Sequence, residues 1–217
     1  MPSFSRKLWK FKRFIDSINF DHFLALTDET GMLQHSKFSI PDRRFGYTTD
    51  DNAHALFVST REYALESDTK WSALAGRFLA FLIGMQKPDG RLHSFMSYAR
   101  EVRNDLEPGD HLGRALWASG CVVDSPLPAG FRVSAKEVFD KALPWALQST
   151  SLRVKAHAIK GLWRYVSSFS EDLNARQSLS HLVNQLVTTY KGNRSDRWEW
   201  FEDILSYENW QLSECLF

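Results

Sequence analysis

Two adjacent carboxylates, Asp50 and Asp51, stand at the start of an apolar helical pattern. They follow Gly46-Tyr47-Thr48-Thr49 and precede Asn52-Ala53-His54-Ala55-Leu56. Because an aspartate is costly to bury unless it is paired or hydrogen-bonded, the pair indicates a polar site at the mouth of a helix. Ordinary N-capping is the alternative interpretation, in which Thr49 or Asp50 caps the helix and Asp51 stabilises its dipole.

A second polar cluster lies late in the sequence and alternates carboxylates with large aromatic side chains. Its members are Asp196, Trp198, Glu199, Trp200, Phe201, Glu202, Asp203, Tyr207 and Glu208. This mixture is typical of sugar sites, where aromatic faces pack on sugar rings and carboxylates accept hydrogen bonds from hydroxyl groups. The alternative is an amphipathic helix with Trp198, Phe201 and Leu205 in the core and the acids in water.

The chemistry that such carboxylates support is hydrolysis of a glycosidic bond. It commonly needs one protonated carboxyl group and one ionised carboxyl group, in environments that push their pKa values apart. Neighbouring helical residues point about 100° apart, so Asp50 and Asp51 do not both face one substrate atom, and one of them holds an arginine or the backbone. The predicted catalytic residues are Asp50, Asp51, Glu202 and Glu208.

Further polar and aromatic residues near these segments are predicted to position the sugar. They are Arg43, Tyr47, Asn52, Tyr98, Asp110, His111, Arg114, Trp198 and Asp203. Tyr98 lies in a loop that also offers Arg100, whereas Glu101 and Asp105 fit an ordinary surface loop better. These residues come from separate stretches of chain, so the site requires a fold that brings the stretches together.

Residue spacing argues against the other common kinds of site. The histidines show no HxxxH or HExxH spacing, and the chain has no glycine-rich phosphate loop and no GxSxG elbow. Cys121 and Cys215 lack CxxC or metal-like spacing and fit buried thiols. We therefore expect no metal and no cofactor.

Helical periodicity dominates the sequence around these candidates. The predicted helices are 50–65, 69–85, 110–122, 134–148, 152–166 and 174–190, and a seventh begins near Ser206. Ser134 is the expected N-cap of the fourth helix, with Glu137 at the capping-box position. Strand signals are weak, and 91–98 is the best extended candidate. The pattern predicts an all-α fold.

The turns and helix starts form an internal repeat. Residues 28–36 resemble 88–94, and each segment is followed, 19 or 20 residues after its glycine, by an acidic helix start at Asp50 or Asp110. A turn, a polar loop, an acidic helix start and a return helix are typical of stacked helix pairs. Curled round an axis, such pairs form an α/α toroid whose inner helices present their starts to a common funnel.

Composition is ordinary for a globular protein, with 217 residues, 43% hydrophobic, 24% charged and a formal net charge of +1. This balance gives no general case for nucleic acid as a partner. No apolar run is long enough for a membrane span or a signal sequence, and we expect a cytoplasmic location. Residues 1–23 are a basic amphipathic segment, predicted to dock on the 24–217 domain or to bind a membrane surface.

Five segments resemble a bacterial family of α/α-toroid, glycosidase-like proteins, whose members are often labelled glycosyltransferases or glycoside hydrolases. The segments are 26–35, 40–53, 95–98, 110–117 and 198–203, and the resemblance spans roughly residues 24–217. It implies a six-hairpin α/α toroid that acts on an oligosaccharide or polysaccharide. The Asp50-Asp51 pair is also similar to the adjacent aspartates of α-mannan-cleaving toroid enzymes.

The chain departs from that family in two respects. His54 stands where the family has arginine, which alters a salt bridge at the funnel mouth. The seven predicted helices make an incomplete toroid, and an open half-toroid exposes apolar helix faces. The resemblance therefore implies either a missing C-terminal half or a partner, such as a second copy of this chain.

Two other functions compete with hydrolysis. A non-catalytic sugar-binding or scaffold domain would keep the funnel without a working acid/base pair. A terpene-cyclase-like toroid is indicated by residues 86–90 and by the Asp50-Asp51 pair, although His54 replaces the last aspartate of a DDxxD motif. Turnover of oligosaccharides would separate the first two, and Mg²⁺-dependent binding of a prenyl diphosphate would indicate the third.

Overall fold

The protein is built almost entirely of helices in the part that the structure describes. This structure, a computed structural model, describes residues 18–103 and 109–217. Its α-helices are α1 (Asp21–Ala25), α2 (Thr49–Glu66), α3 (Thr69–Met85), α4 (His111–Val123), α5 (Ala129–Gln148), α6 (Leu152–Ser168), α7 (Leu173–Asn193) and α8 (Trp210–Glu214). The predicted all-α class is confirmed.

Most of the predicted basic segment, residues 1–17, lies outside the described residues, as does Asp105. The boundary predicted between residues 23 and 24 falls inside α1. Phe20 packs edge-on against Trp71 of α3, with ring centroids 4.7 Å apart, and Phe23 packs edge-on against Phe78 of the same helix at 5.8 Å. The described end of this segment therefore docks on the helical body through its aromatic side chains.

The bounds of α2, α3, α4, α6 and α7 lie close to the predicted ones, but two helix starts and one cap differ. Thr48 caps α2, since its Oγ1 accepts the N–H of Asp51 at 3.1 Å, and not Thr49 or Asp50 as predicted. Helix α5 begins directly after Pro128, ahead of the predicted cap Ser134, because a proline has no N–H to leave unpaired at a helix start. The helix predicted near Ser206 is the short α8.

The long helices form hairpins in two layers. Helix α2 packs on α3, α4 on α5, and α6 on α7. Helices α2, α4 and α6 also contact one another in order, while α3 contacts α5. The first set is therefore an inner layer and the second an outer layer. This alternation is the architecture of part of an α/α toroid, as the sequence predicts.

Glycines let the inner helices α4 and α6 approach closely. A Cβ atom on Gly120 would lie 2.3 Å from the carbonyl oxygen of Gly161, and one on Gly161 would lie 2.5 Å from that of Leu116. Helix α4 is consequently enclosed, and only Arg114 and Trp117 among its residues are not buried. These two side chains therefore mark the open inner face of the layer.

Short strands tie the loops to the starts of the inner helices. Strand β1 (Ser36–Lys37) pairs with β2 (Ile40–Pro41), and β3 (Tyr47–Thr48) pairs with β4 (Phe95–Met96), both antiparallel. A 3-10 turn, Arg43–Phe45, precedes β3. The β3–β4 pair joins the loops of the two repeated units, and β4 lies within the predicted extended stretch 91–98.

Apolar side chains fill the space between the layers, and others remain on the surface. Phe78, Leu82 and Met85 of α3 are fully buried. Trp163 and Leu173 are among the large apolar side chains that are more than half exposed. None of the helices in the described ranges is long and apolar enough to cross a membrane.

Candidate functional site

The starts of the inner helices meet at one end of the structure, where Arg114 joins two predicted catalytic residues. Arg114 lies in the first turn of α4, Asp50 in the first turn of α2, and Glu208 in the loop before α8. Arg114 Nη1 is 2.8 Å from Asp50 Oδ1, and its Nη2 is 2.6 Å from Glu208 Oε2. Two carboxylates that are distant in the chain thus share one guanidinium group.

Glu208 is held in a demanding backbone conformation. Its φ is 48°, a left-handed value that non-glycine residues seldom adopt and that costs about 1–3 kcal/mol unless the surroundings fix it. Burial raises the pKa of Glu208, but hydrogen bonds from Arg114 and His157 outweigh burial and lower it below the ordinary value. Glu208 is therefore ionised at neutral pH.

His157 of α6 reaches the same carboxylate. Its Nε2 lies 3.2 Å from Glu208 Oε2. Burial lowers the pKa of His157 to about 4, although Glu208 opposes the shift, so the ring is neutral at pH 7. A neutral ring that donates from Nε2 accepts at Nδ1, and Nδ1 has no hydrogen-bond partner among the described residues. Trp117 stacks on this ring, with centroids 5.5 Å apart.

Asp51 shows the opposite pKa shift. Burial raises its pKa and the charge of Asp50 adds to the effect, although the Thr48 hydroxyl donates to Asp51 Oδ2 at 2.5 Å and acts against it. His54 has a lowered pKa because of burial and the charge of Arg114. His54 also interacts electrostatically with Asp50, with Asp51 and with the Glu208 carboxylate, and all three charges oppose the lowering of its pKa.

Arg153 organises a second group beside the first. Its Nη1 lies 2.5 Å from Glu202 Oε1, and its Nε donates to the backbone carbonyl of Tyr207 at 3.0 Å. The Tyr207 hydroxyl donates to Asp110, which raises the tyrosine pKa to about 12, and the other oxygen of Asp110 accepts from Ser151 at 2.9 Å. This group fixes the loop that leads into α8.

Several buried polar atoms of the two groups have no partner among the described residues. They are Arg114 Nε, Arg153 Nη2, His157 Nδ1 and Glu202 Oε2. Buried polar groups are nearly always hydrogen-bonded, so the two groups keep unused hydrogen-bonding capacity beside their carboxylates. The described ranges contain no group of three or more His, Cys, Asp or Glu side chains that could hold a metal ion.

Three of the predicted sugar-positioning residues form a separate group in the loops. Tyr47 is buried, burial raises its pKa, and its hydroxyl donates to Asp28 Oδ2 at 2.6 Å. Tyr98 stacks on Tyr47 with centroids 6.2 Å apart, and the Arg43 guanidinium lies 5.7 Å from the centre of the Tyr98 ring. Tyr98 is 47% exposed and Arg43 is exposed as well, so a ligand can reach these two members of the group but not the buried Tyr47.

Asn52 and His111 anchor the loops to the inner helices. Asn52 is fully buried; its Oδ1 accepts the N–H of Met32 at 2.8 Å, and its Nδ2 donates to the carbonyls of Met32 and Thr48. His111 is also buried, and its Nε2 lies 3.0 Å from the carbonyl oxygen of Leu92. The structure therefore gives both residues backbone partners, although the sequence predicts that they position the sugar.

The acidic and aromatic segment is irregular between α7 and α8. Phe201 is buried but Leu205 is 60% exposed, so the amphipathic-helix interpretation does not describe this segment. Trp198 donates its indole N–H to the carbonyl of Glu202 at 2.6 Å, and Asp203 is exposed. Trp198 thus contacts the Arg153 group only through the backbone of Glu202. Asp203 makes no hydrogen bond or ion pair with either group in the described part of the chain.

Sequence reasoning missed three residues of the site: Trp117, Arg153 and His157. The inner helix that carries two of them is capped by Ser151 and not by an aspartate, so the signature of the repeat is absent there. Arg153, His157 and Lys160 lie at helical spacing on one face. That spacing is informative only once α6 is known to be an inner helix.

Comparisons with known proteins agree with the fold. No family model matches the chain, and no curated protein matches it in sequence. Among solved structures, the chain is similar to the cellobiose 2-epimerase from Spirochaeta thermophila DSM 6192, with a TM-score of 0.71 and 12% sequence identity. The match covers 99% of this chain and 65% of the epimerase chain. At this identity the likeness shows the fold alone.

Proposed function

We propose that the protein acts on a carbohydrate at the starts of its inner helices, and that the reaction is hydrolysis of a glycosidic bond. One observation carries the proposal: two carboxyl groups of the site have opposite pKa shifts, raised for Asp51 and lowered for Glu208. Pairs of carboxyl groups whose environments push their pKa values apart are typical of the acid and the base in this reaction.

The pKa directions assign a role to each carboxyl group. Asp51 is assigned as the general acid because burial and the charge of Asp50 raise its pKa, which is the direction that a proton donor needs, and it gives its proton to the oxygen of the leaving sugar. Glu208 is the ionised group, since Arg114 and His157 donate to it, and it activates water or attacks the sugar carbon. Asp50 holds the other side of the Arg114 guanidinium and so fixes its orientation.

Sugar recognition is assigned to the carboxylates of the two groups, which solvent reaches: the Asp50 side chain is 40% exposed, that of Glu202 26% and that of Glu208 22%. These carboxylates can accept hydrogen bonds from hydroxyl groups. Trp117 adds an apolar ring of the kind on which sugar faces pack. The structurally similar protein is named a cellobiose 2-epimerase, and a sugar ligand at this fold is consistent with that name.

A second candidate reaction is epimerisation of a sugar at a carbon next to a carbonyl group. The observation that favours it is the neutral state of His157 at pH 7, together with the lowered pKa of His54. A neutral imidazole is the commonest general base in enzymes, and removal and return of a proton at such a carbon inverts its configuration. The name of the similar structure supports the same reaction class.

The test is incubation with a panel of oligosaccharides in H₂O and in D₂O, followed by mass spectrometry of the products. Hydrolysis gives shorter sugars, whereas epimerisation gives an isomer of unchanged length that carries deuterium from the solvent. We expect hydrolysis. Asp51→Asn and Glu208→Gln should each lower turnover by about 10²–10⁴-fold, while Glu171→Gln, at an exposed acid between α6 and α7, should not.

Other outcomes reject parts of the proposal. Sugar binding without turnover would indicate the non-catalytic sugar-binding domain. Full activity in both Asp51→Asn and Glu208→Gln would remove these residues from the mechanism. If no sugar in the panel is bound or changed by a protein whose circular dichroism is helical, the carbohydrate function itself is wrong.

A further inference from the structure

A cavity of about 550 Å³ lies between the inner helices α2, α4 and α6, the outer helix α7 and residues 214–217. Its volume is in the range of small-molecule sites, about 300–1,000 Å³. The charged and aromatic side chains that line it are Phe57, Arg61, Trp117, Lys160, Trp163, Arg164, Glu214 and Phe217. None of the predicted catalytic residues lines this cavity, and of the lining residues only Trp117 has a role in the function proposed above.

The cavity continues the candidate functional site along the same helix faces. On α2, Phe57 and Arg61 lie two and three turns beyond Asp50 on one face. On α4, Trp117 lines the cavity and also stacks on His157 of the site. A ligand held at the starts of the inner helices can therefore extend into the cavity over the Trp117 ring.

Aromatic rings form one wall of the cavity. Phe57 and Trp117 pack together with ring centroids 4.4 Å apart. The Lys160 ammonium group lies 3.8 Å from the centre of the Trp117 ring. Flat apolar rings beside donors suit a sugar, whose ring faces are apolar and whose edges are polar.

The charges around the cavity do not cancel. Lys160 pairs with Glu214 at 2.6 Å, and Arg164 lies 3.3 Å from Asp124. Arg61 makes no hydrogen bond or ion pair with any described residue, and its side chain is exposed to solvent. One guanidinium group at the cavity is therefore available to a ligand.

We propose that this cavity binds an anionic group of the sugar ligand, a carboxylate or a phosphate ester, with Arg61 as its principal partner. The proposal rests on the carbohydrate function proposed above and narrows its substrate class to acidic sugars. A guanidinium group matches the oxygens of carboxylates and phosphates with paired, charge-assisted hydrogen bonds. A neutral sugar has no anionic group to pair with Arg61. Arg61 therefore favours acidic sugars through a contact that lies apart from the bond that reacts.

Calorimetric titration of the full chain with glucose, glucuronate, glucose 6-phosphate and inorganic phosphate tests the proposal. We expect glucuronate or glucose 6-phosphate to bind at least tenfold more tightly than glucose, and the stronger of the two identifies the anionic group. Arg61→Ala should remove this advantage without changing glucose binding. Arg132→Ala, at an exposed arginine of the outer helix α5, is the matched control and should keep the advantage.

The possible failures are distinguishable. Equal affinity for the three sugars, or an anion preference that survives Arg61→Ala, overturns this inference and leaves the carbohydrate function standing. Inorganic phosphate that binds as tightly as glucose 6-phosphate also overturns it, because the sugar then contributes nothing. If none of these sugars and none of the oligosaccharides binds, both proposals fail together.

Discussion

The two repeated units begin alike, yet their aspartates acquire different partners. In each unit a turn glycine is followed, 19 or 20 residues later, by a helix start with an aspartate, Asp50 in the first and Asp110 in the second. Asp50 pairs with Arg114 of a neighbouring helix, whereas Asp110 accepts hydrogen bonds from Ser151 and Tyr207. Equivalent positions thus differ in role because different elements face them.

The units agree in how each loop is attached to its helix. In the first, Asn52 holds the backbone of Met32, and in the second, His111 contacts the carbonyl of Leu92. The side chains differ in type, but both connect the early loop of the unit to the start of its inner helix. The repeat therefore encodes the architecture, and the chemistry comes from residues added to it.

The two units should differ most in the stability lost when the residue four positions after each aspartate is replaced. This residue is His54 in the first unit and Arg114 in the second. Arg114→Ala leaves Asp50 and Glu208 without their shared cation, and the cost of breaking a buried pair is about 3–5 kcal/mol. We expect the lower end, since Asp50 is 40% exposed. His54→Ala should cost about 1 kcal/mol. Urea unfolding measures both, and equal costs would contradict the assignment of Arg114 as the centre of the site.

The third inner helix, α6, lacks the acidic start of the other two. Its buried His157 should instead make the stability of the protein depend on pH. The pKa of His157 falls from 6.5 to about 4 on folding, so the folded state binds fewer protons than the unfolded state between these pH values. Stability should be unaffected by this group above pH 6.5 and should decrease as the pH falls towards 4, by at most about 3 kcal/mol.

Thermal unfolding between pH 7.5 and pH 4 measures this dependence. His157→Gln should flatten the profile in that window, whereas His22→Gln, at an exposed histidine of α1, should leave it unchanged. A His157→Gln profile that is as steep as the original would show that other groups cause the pH dependence.

A charge-removing substitution at the two aspartates compares the units directly. Asp50→Asn removes the anion that orients Arg114, and we expect oligosaccharide turnover to fall by about 10²-fold. Asp110→Asn weakens the support of Tyr207 and should cause a smaller loss. Steady-state kinetics on both variants ranks them, and a larger loss in Asp110→Asn would place the chemistry in the second unit.

The last comparison concerns the turn glycines of the two units. Gly90 has φ +93°, and a Cβ there would lie 2.0 Å from the Lys141 carbonyl oxygen; at Gly31 the nearest atom is Asn52 Oδ1, at 2.3 Å. We expect Gly90→Ala to cost about 2–3 kcal/mol and Gly31→Ala about 1–2, since a side chain yields more easily than a backbone. Urea unfolding tests the order, with Gly130→Ala, which meets no atom within 4 Å, as the control.

The amino-acid sequence alone determined most of the long helices and the repeat. Helix α3 has the predicted bounds Thr69–Met85, because its apolar periodicity and its capping Asp68 are local features that survive in any fold. The glycine-to-aspartate spacing of the repeat likewise predicted stacked hairpins. The start of α5 was missed since Pro128 and Ser134 both fit a helix start when only local signals are read.

Only the tertiary structure decided which polar groups meet. Glu208 reaches Arg114 and His157 from an irregular loop. Asn52 hydrogen-bonds to the backbone of Met32, although it stands directly after Asp50 and Asp51. Periodicity reports which face of a helix is apolar, but it does not report which helix lies opposite. Ion pairs between residues far apart in the chain depend on which helices lie opposite each other. The pKa values and the unpartnered donors of the site therefore follow from the packing of α2, α4 and α6.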